Sequence, residues 1–128
     1  MSRPSIVVTD DDALVAEAIT RDLRQRFGAD YRIVRTTSGA EALDVLGRLA
    51  LRDDPVALLV TDQRMPQMTG VEMLGRAQPH APDAKLLLLT AYADTDAAIT
   101  AINDIGLDHY LLKPWDPPEE RLYPPAPP

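Results

Sequence analysis

The feature that most narrows the fold is the run Val56-Ala57-Leu58-Leu59-Val60, apolar at every position, which ends at Thr61 and delivers Asp62 into a Gln63-Arg64-Met65-Pro66 turn. A strand with one wet face alternates between apolar and polar residues. A strand apolar throughout suits the centre of a parallel sheet covered by helices on both faces. In such sheets ligand chemistry collects at the carboxyl ends of the strands, and that is where this run places a carboxylate. Aspartate is also a common turn-former, so Asp62 alone decides nothing. Its weight comes from three further strands that end in groups suited to phosphate or metal.

The first of these is Ser5-Ile6-Val7-Val8-Thr9, which runs into Asp10-Asp11-Asp12. One or two acids serve as an N-cap and a partner for the helix dipole. Three exceed that need, and such a cluster is usually compensated by a metal ion or a nearby lysine. Val15, Ile19, Leu23 and Phe27 then recur every fourth residue, with Leu14 and Ala18 beside them, which predicts an amphipathic helix ended at Gly28. Tyr31 to Thr36 alternates, as expected nearer a sheet edge. Ser38 with Glu41 forms a capping box for a second helix whose apolar face is Ala42, Leu43, Leu46, Leu49 and Ala50.

After Asp62, Thr69 and Glu72 open a short third helix through Val71, Met73, Leu74 and Ala77. Lys85 to Thr90 repeats the design of the central run and ends in a hydroxyl. A fourth helix is predicted on Ala98, Ile99, Ala101, Ile102 and Ile105, with Gly106 as its stop. The fifth strand, Asp108 to Leu112, ends at Lys113-Pro114, where the proline holds the lysine in an extended exit. Five β units separated by four helices thus present Asp10, Asp11, Asp62, Thr90 and Lys113 at one rim.

Composition narrows the function classes. A chain of 128 residues fits one domain. The absence of cysteine excludes disulfides and thiolate chemistry and permits a reducing compartment. A bacterial type of cytoplasm is the expected location, because the start reads as a strand and not a signal peptide, and no apolar stretch reaches the length of a membrane span. A net charge of -7 without a basic stripe argues against direct nucleic-acid binding. The clustered acids suit a hard cation such as Mg2+, and a hydroxyl with an ammonium suits phosphoryl oxygens. Together they suffice for phosphoryl transfer, which needs chiefly positioning and charge neutralisation, with Asp62 as nucleophile.

The ordered set Val8-Thr9-Asp10-Asp11-Asp12, Thr61-Asp62-Gln63-Arg64-Met65-Pro66, Leu89-Thr90-Ala91 and Leu112-Lys113-Pro114 closely resembles a bacterial two-component response-regulator receiver domain, from Ile6 to about Trp115. The resemblance implies a flavodoxin-like, doubly wound, five-stranded parallel sheet in the order 2-1-3-4-5. It implies that Asp62 accepts a phosphoryl group from a histidine kinase or phosphotransfer protein, so that the domain is a phosphoacceptor and not an enzyme in its own right. Asp11, Asp62 and the main-chain carbonyl of Arg64 would bind Mg2+ directly, and Asp10 through water. Thr90 and Tyr110 would be the switch pair, with Lys113 on the phosphoryl group. Ala91 to Asp94 and Lys113 to Glu120 resemble a narrower group that precedes larger output domains, thioredoxin-reductase-like enzymes among them.

The chain departs from the family at its end, where six of the twelve prolines follow Asp116. Such density prevents a regular helix. The expected organisation is therefore a receiver over 1–116, its final helix missing or truncated, and a proline-rich tail over 117–128. Loss of that helix predicts an uncovered apolar face beside the first helix, to be covered by self-association or a downstream domain. Two rivals share the motifs. A haloacid-dehalogenase-like phosphohydrolase would use Asp10 as nucleophile and Asp12 as acid, but needs a further acidic metal pair that only Asp116, Glu119 and Glu120 could supply. A binding-only pseudo-receiver would lack a member of the phosphorylation set, and none is missing.

Overall fold

The structure, a computed structural model, describes residues 3–90 and 109–112, with Thr90 and residues 109–112 described through their backbone alone. Strands β1 (Ser5–Thr9), β2 (Arg32–Thr36), β3 (Val56–Asp62), β4 (Lys85–Thr90) and β5 (His109–Leu112) form one parallel sheet in the order β2-β1-β3-β4-β5. Helices α1 (Ala13–Phe27), α2 (Gly39–Leu51) and α3 (Gly70–Ala77) connect the first four strands. The expected fourth helix, and the region of the final one, lie outside the described residues.

The unbroken apolar runs resolve into two interleaved faces. Val7, Leu59, Leu86 and Leu88 join Ala42, Leu46 and Leu49 of α2 and Met73, Leu74 and Ala77 of α3 in one buried cluster. Ile6, Val8, Ile33, Val60, Leu87 and Leu89 join Ile19 and Leu23 of α1 in the other. Neighbouring residues of one strand point to opposite sides, so a strand must be apolar at successive positions to feed both. Each fully buried Leu, Ile or Val contributes about 1.5–3 kcal/mol relative to exposure, so the two clusters supply the main stabilisation of the sheet.

This layering also locates the site. The chain leaves β1 for the edge strand β2 by way of α1 on one face, then crosses back over β1 to β3 by way of α2 on the other. The connections after β1 and β3 therefore diverge to opposite faces. A crevice opens between the carboxyl ends of those two adjacent strands.

Several expectations change. In α1 the buried residues are Ala16, Ile19, Thr20 and Leu23, while Leu14 is 79% exposed. Leu14 lies about 140° round the helix from Ile19, too far to share its face. Thr20 goes inward because its hydroxyl donates to the Ala16 carbonyl oxygen at 2.6 Å, which satisfies the polar group within the helix. In α2, Ala50 is exposed and does not belong to the apolar face. On the described strands Ile6, Val8, Val60, Leu87 and Leu89 are buried, and the segment expected to leave this face uncovered lies outside the described residues.

The helix starts follow the sequence closely. Asp12 caps α1, its Oδ1 accepting from the Leu14 and Val15 amides at 3.0 and 3.4 Å. Ser38 Oγ accepts from the Glu41 amide at 3.0 Å, and Glu41 Oε1 reaches back to the Thr37 amide at 2.7 Å. Thr69 Oγ1 accepts from the Glu72 amide at 3.2 Å.

Candidate functional site

Three carboxylates meet in the crevice between β1 and β3. Asp10, Asp11 and Asp62 each offer an oxygen within 4.8 Å of the other two. Asp10 and Asp62 are 0% and 3% exposed, whereas Asp11 is open to solvent. At an effective dielectric near 20, two full charges at such a distance repel by roughly 3–4 kcal/mol. The buried Asp10 and Asp62 therefore favour a compensating cation. An all-oxygen donor set, without nitrogen or sulfur, fits a hard divalent ion such as Mg2+.

The third acid of the run has a different task. Asp12 spends its carboxylate on the amides that open α1, and it donates its own N–H to Asp10 Oδ1 at 2.9 Å. Asp10 is thus oriented by the turn that starts the helix. Asp12 lies outside the cluster, and an acid at Asp12 beside a nucleophile at Asp10 has no geometric support.

The end of β3 is tied down on two sides by Gln63, which sequence reasoning passed over as a turn residue. Its amide donates to the Leu89 carbonyl oxygen of β4 at 3.0 Å, and its own carbonyl accepts from the Gly70 amide at 3.0 Å. Its side-chain Oε1 accepts from the Val71 amide at 3.0 Å, so one residue serves two of the four free amides at the start of α3. Burial of the residue to 9% exposure was the missing signal, and no local pattern carries it. Gly70 itself abuts the phosphoacceptor candidate: a Cβ there would lie 2.3 Å from the Asp62 carbonyl oxygen.

Between these anchors Met65 is buried at 8% exposure, and the Arg64 side chain is exposed. Met68 donates its amide to the Pro66 carbonyl oxygen at 2.8 Å across Gln67, whose φ is 70°. This is a γ-turn of the rarer, positive-φ kind, a conformation that a side chain disfavours. Gln67→Gly is expected to raise stability by about 1 kcal/mol, since glycine takes positive φ without steric cost. Urea unfolding measures it, and an unchanged or lower midpoint would show that no strain resides there.

The remaining expected site residues fall as follows. Asp62 pairs in register with Leu89, which puts Thr90 one rung further along the adjacent strand. Tyr110 lies on β5 opposite Leu88. Lys113 lies outside the described residues. Among the described residues no helix is long and apolar enough to cross a membrane.

A parallel sheet in this order, with acids converging where its connections diverge, defines a signalling module of the receiver type. The chain belongs to the response regulator receiver domain family, which it matches over residues 6–122. It is 33% identical over 113 residues to the hydrogenase transcriptional regulatory protein HoxA of Cupriavidus necator, covering 88% of this chain and 22% of that one. It is 33% identical over 116 residues to the DNA-binding transcriptional regulator NtrC of Escherichia coli K12, covering 91% and 23%. The chain thus spans about a fifth to a quarter of the length of these relatives. Among solved structures it resembles a response regulator receiver domain protein from Clostridium thermocellum, at 25% identity and a TM-score of 0.75 over 88% of this chain and 84% of that one. It also resembles a Burkholderia pseudomallei response regulator holding a phosphorylated aspartic acid, a calcium ion and citrate, at 27% identity and a TM-score of 0.75 over 91% and 63%. Membership of this family makes the chain a phosphoacceptor module of two-component signalling.

Proposed function

We propose that Asp62 is the phosphoacceptor, that Asp10, Asp11, Asp62 and the Arg64 carbonyl hold Mg2+, and that Thr90, Tyr110 and Lys113 bind and report the phosphoryl group. The observation that carries this reading is the convergence of three carboxylate oxygens within 4.8 Å where β1 and β3 part. The resemblance to a regulator with a phosphorylated aspartic acid and a bound cation supports it. Donation comes from a phosphohistidine of a histidine kinase or phosphotransfer protein. An Asp62 carboxylate oxygen attacks phosphorus, the P–N bond breaks as the P–O bond forms, and the electron pair returns to the imidazole. The product is a mixed anhydride on Asp62. The cation, when bound, supplies charge neutralisation on the phosphoryl oxygens.

The chain's residues divide the remaining work. Asp10 and Asp11 keep the site anionic enough to recruit the cation, and the threonine at the end of β4 follows the phosphoryl oxygens. Movement of Thr90 toward phosphorylated Asp62, with inward rotation of Tyr110, changes the surface offered to an output domain or partner. The receiver unit occupies 1–116 with 117–128 as a tail, and the module acts in the cytoplasm on a protein target without direct contact to nucleic acid. Its chemistry is confined to assisting its own phosphorylation and dephosphorylation.

Incubation with acetyl phosphate and Mg2+, followed by borohydride trapping and peptide mass analysis, is expected to mark Asp62. A mark on Asp10 would assign the chain to the phosphohydrolase reading. No mark at all would leave a binding-only receiver.

A further inference from the structure

The last two residues of β1, Val8 and Thr9, and Asp10 just after it are all held by one residue of β2, Thr36. Thr36 Oγ1 donates to the Val8 carbonyl oxygen at 2.8 Å, which uses its only proton. In the 2.8 Å contact between the two hydroxyls, Thr9 must therefore donate and Thr36 accept. Finally, the Asp10 amide donates to the Thr36 carbonyl oxygen at 3.2 Å. Thr9 and Thr36 are 1% and 2% exposed, so water cannot replace these bonds.

A β-branched residue at a strand end needs no special role, and valine would fill the same volume. The bonds make the difference. β1 ends at Thr9, so the Asp10 amide makes the last bond that holds the chain before the acids splay into the crevice. Among the described residues β2 is the edge strand, with no strand beyond it to steady its end. Like charges whose oxygens lie within 4.8 Å of one another, on Asp10, Asp11 and Asp62, bear on the segment that this last rung holds. The same row continues into β3, where Thr9 pairs with Thr61 and the Thr61 hydroxyl donates to the Asp62 carbonyl oxygen at 3.1 Å.

We infer that the buried Thr9–Thr36 hydroxyl pair is a positioning clamp that sets the spacing of Asp10 and Asp11 from Asp62 and thereby the affinity of the site for a divalent cation. The inference rests on the reading of these carboxylates as a cation site. Outer-shell partners of metal ligands typically govern affinity by about 10–100-fold. Thr36→Val should weaken Mg2+ binding at the low end of that range, about tenfold, in calorimetric titration of the full chain. Thr36→Ser, which keeps the hydroxyl, should bind like wild type.

The double variant Thr9→Val/Thr36→Val separates the clamp from packing. Thr36→Val alone strands the Thr9 hydroxyl in the core, while the double variant leaves no unpaired donor. Its thermal midpoint in EDTA should therefore recover relative to Thr36→Val, and its Mg2+ affinity should stay weak. Wild-type affinity in Thr36→Val and in the double variant would overturn the clamp and reduce the pair to packing. Wild-type protein that binds no Mg2+ at all would instead overturn the cation reading itself, and the clamp with it.

Discussion

Asp62→Asn is expected to take no phosphoryl group from acetyl phosphate and Mg2+, and in EDTA to unfold at a higher temperature than wild type. The first effect is one of chemistry, because an amide oxygen at neutral pH does not displace a leaving group from phosphorus as a carboxylate does. The second is electrostatic. Asp62 and Asp10 are both buried with oxygens within 4.8 Å, and Asp11 adds a third charge at the rim. Removing one buried charge relieves repulsion, and after allowance for the hydrogen bonds that remain a gain of about 1–2 kcal/mol is expected.

Magnesium should reverse that order. A cation that binds only the folded state stabilises it by about 2.7 kcal/mol at a hundredfold excess over its dissociation constant. Wild type should gain this fully, and the Asn variant only a fraction of it, having lost a ligand. Scanning calorimetry with EDTA and with saturating Mg2+ measures both arms. Labelling of Asp62→Asn at the wild-type rate would remove Asp62 as the acceptor, and equal Mg2+ stabilisation of the two proteins would remove it as a cation ligand.

The second large effect is expected from Gly70→Ala, which should destabilise the protein by about 3 kcal/mol and slow phosphorylation as well. The added Cβ would sit 2.3 Å from the Asp62 carbonyl oxygen and 3.0 Å from its carbonyl carbon, with the Leu88 Cδ1 at 2.9 Å on a further side. A flexible side chain could move aside, but two of these contacts are backbone. Either α3 withdraws, breaking the Gly70 and Val71 amide bonds to Gln63, or the end of β3 shifts and carries Asp62 with it. Urea unfolding and the acetyl phosphate labelling rate test the two consequences together. A midpoint within experimental error of wild type would show that α3 does not press on β3 as described.

Much of the fold could be read before any coordinates. The run from Val56 to Val60 demanded a doubly covered strand, and Leu59 and Val60 indeed enter opposite cores. The alternation in β2 marked an edge strand, and the order places it at the edge. The caps at Ser38 and Thr69 were legible because a cap depends only on residues three or four apart. Helix faces were read less well. Thr20 had no place in the apolar pattern yet is buried, its hydroxyl satisfied within its own turn, and Leu14 was grouped with the apolar face although it faces away.

The site divides along the same line. That acids stand at the ends of β1 and β3 is a property of the sequence, since the length of each apolar run fixes where its strand stops. Motif order already pointed to Asp10 and Asp11 among the three consecutive acids, but the physical reason is structural and local to the turn, where the start of α1 claims Asp12. The scaffold beneath them was invisible for a further reason. Thr9 and Thr36 are 27 residues apart, and Gly70 touches Asp62 only because α3 packs back against the strand it follows. Periodicity and strand-end chemistry are local and were written in the chain. Burial of Asp10 and Asp62, the hydroxyl pair and the contact at Gly70 arise from distant segments brought together, and only the tertiary structure decides them.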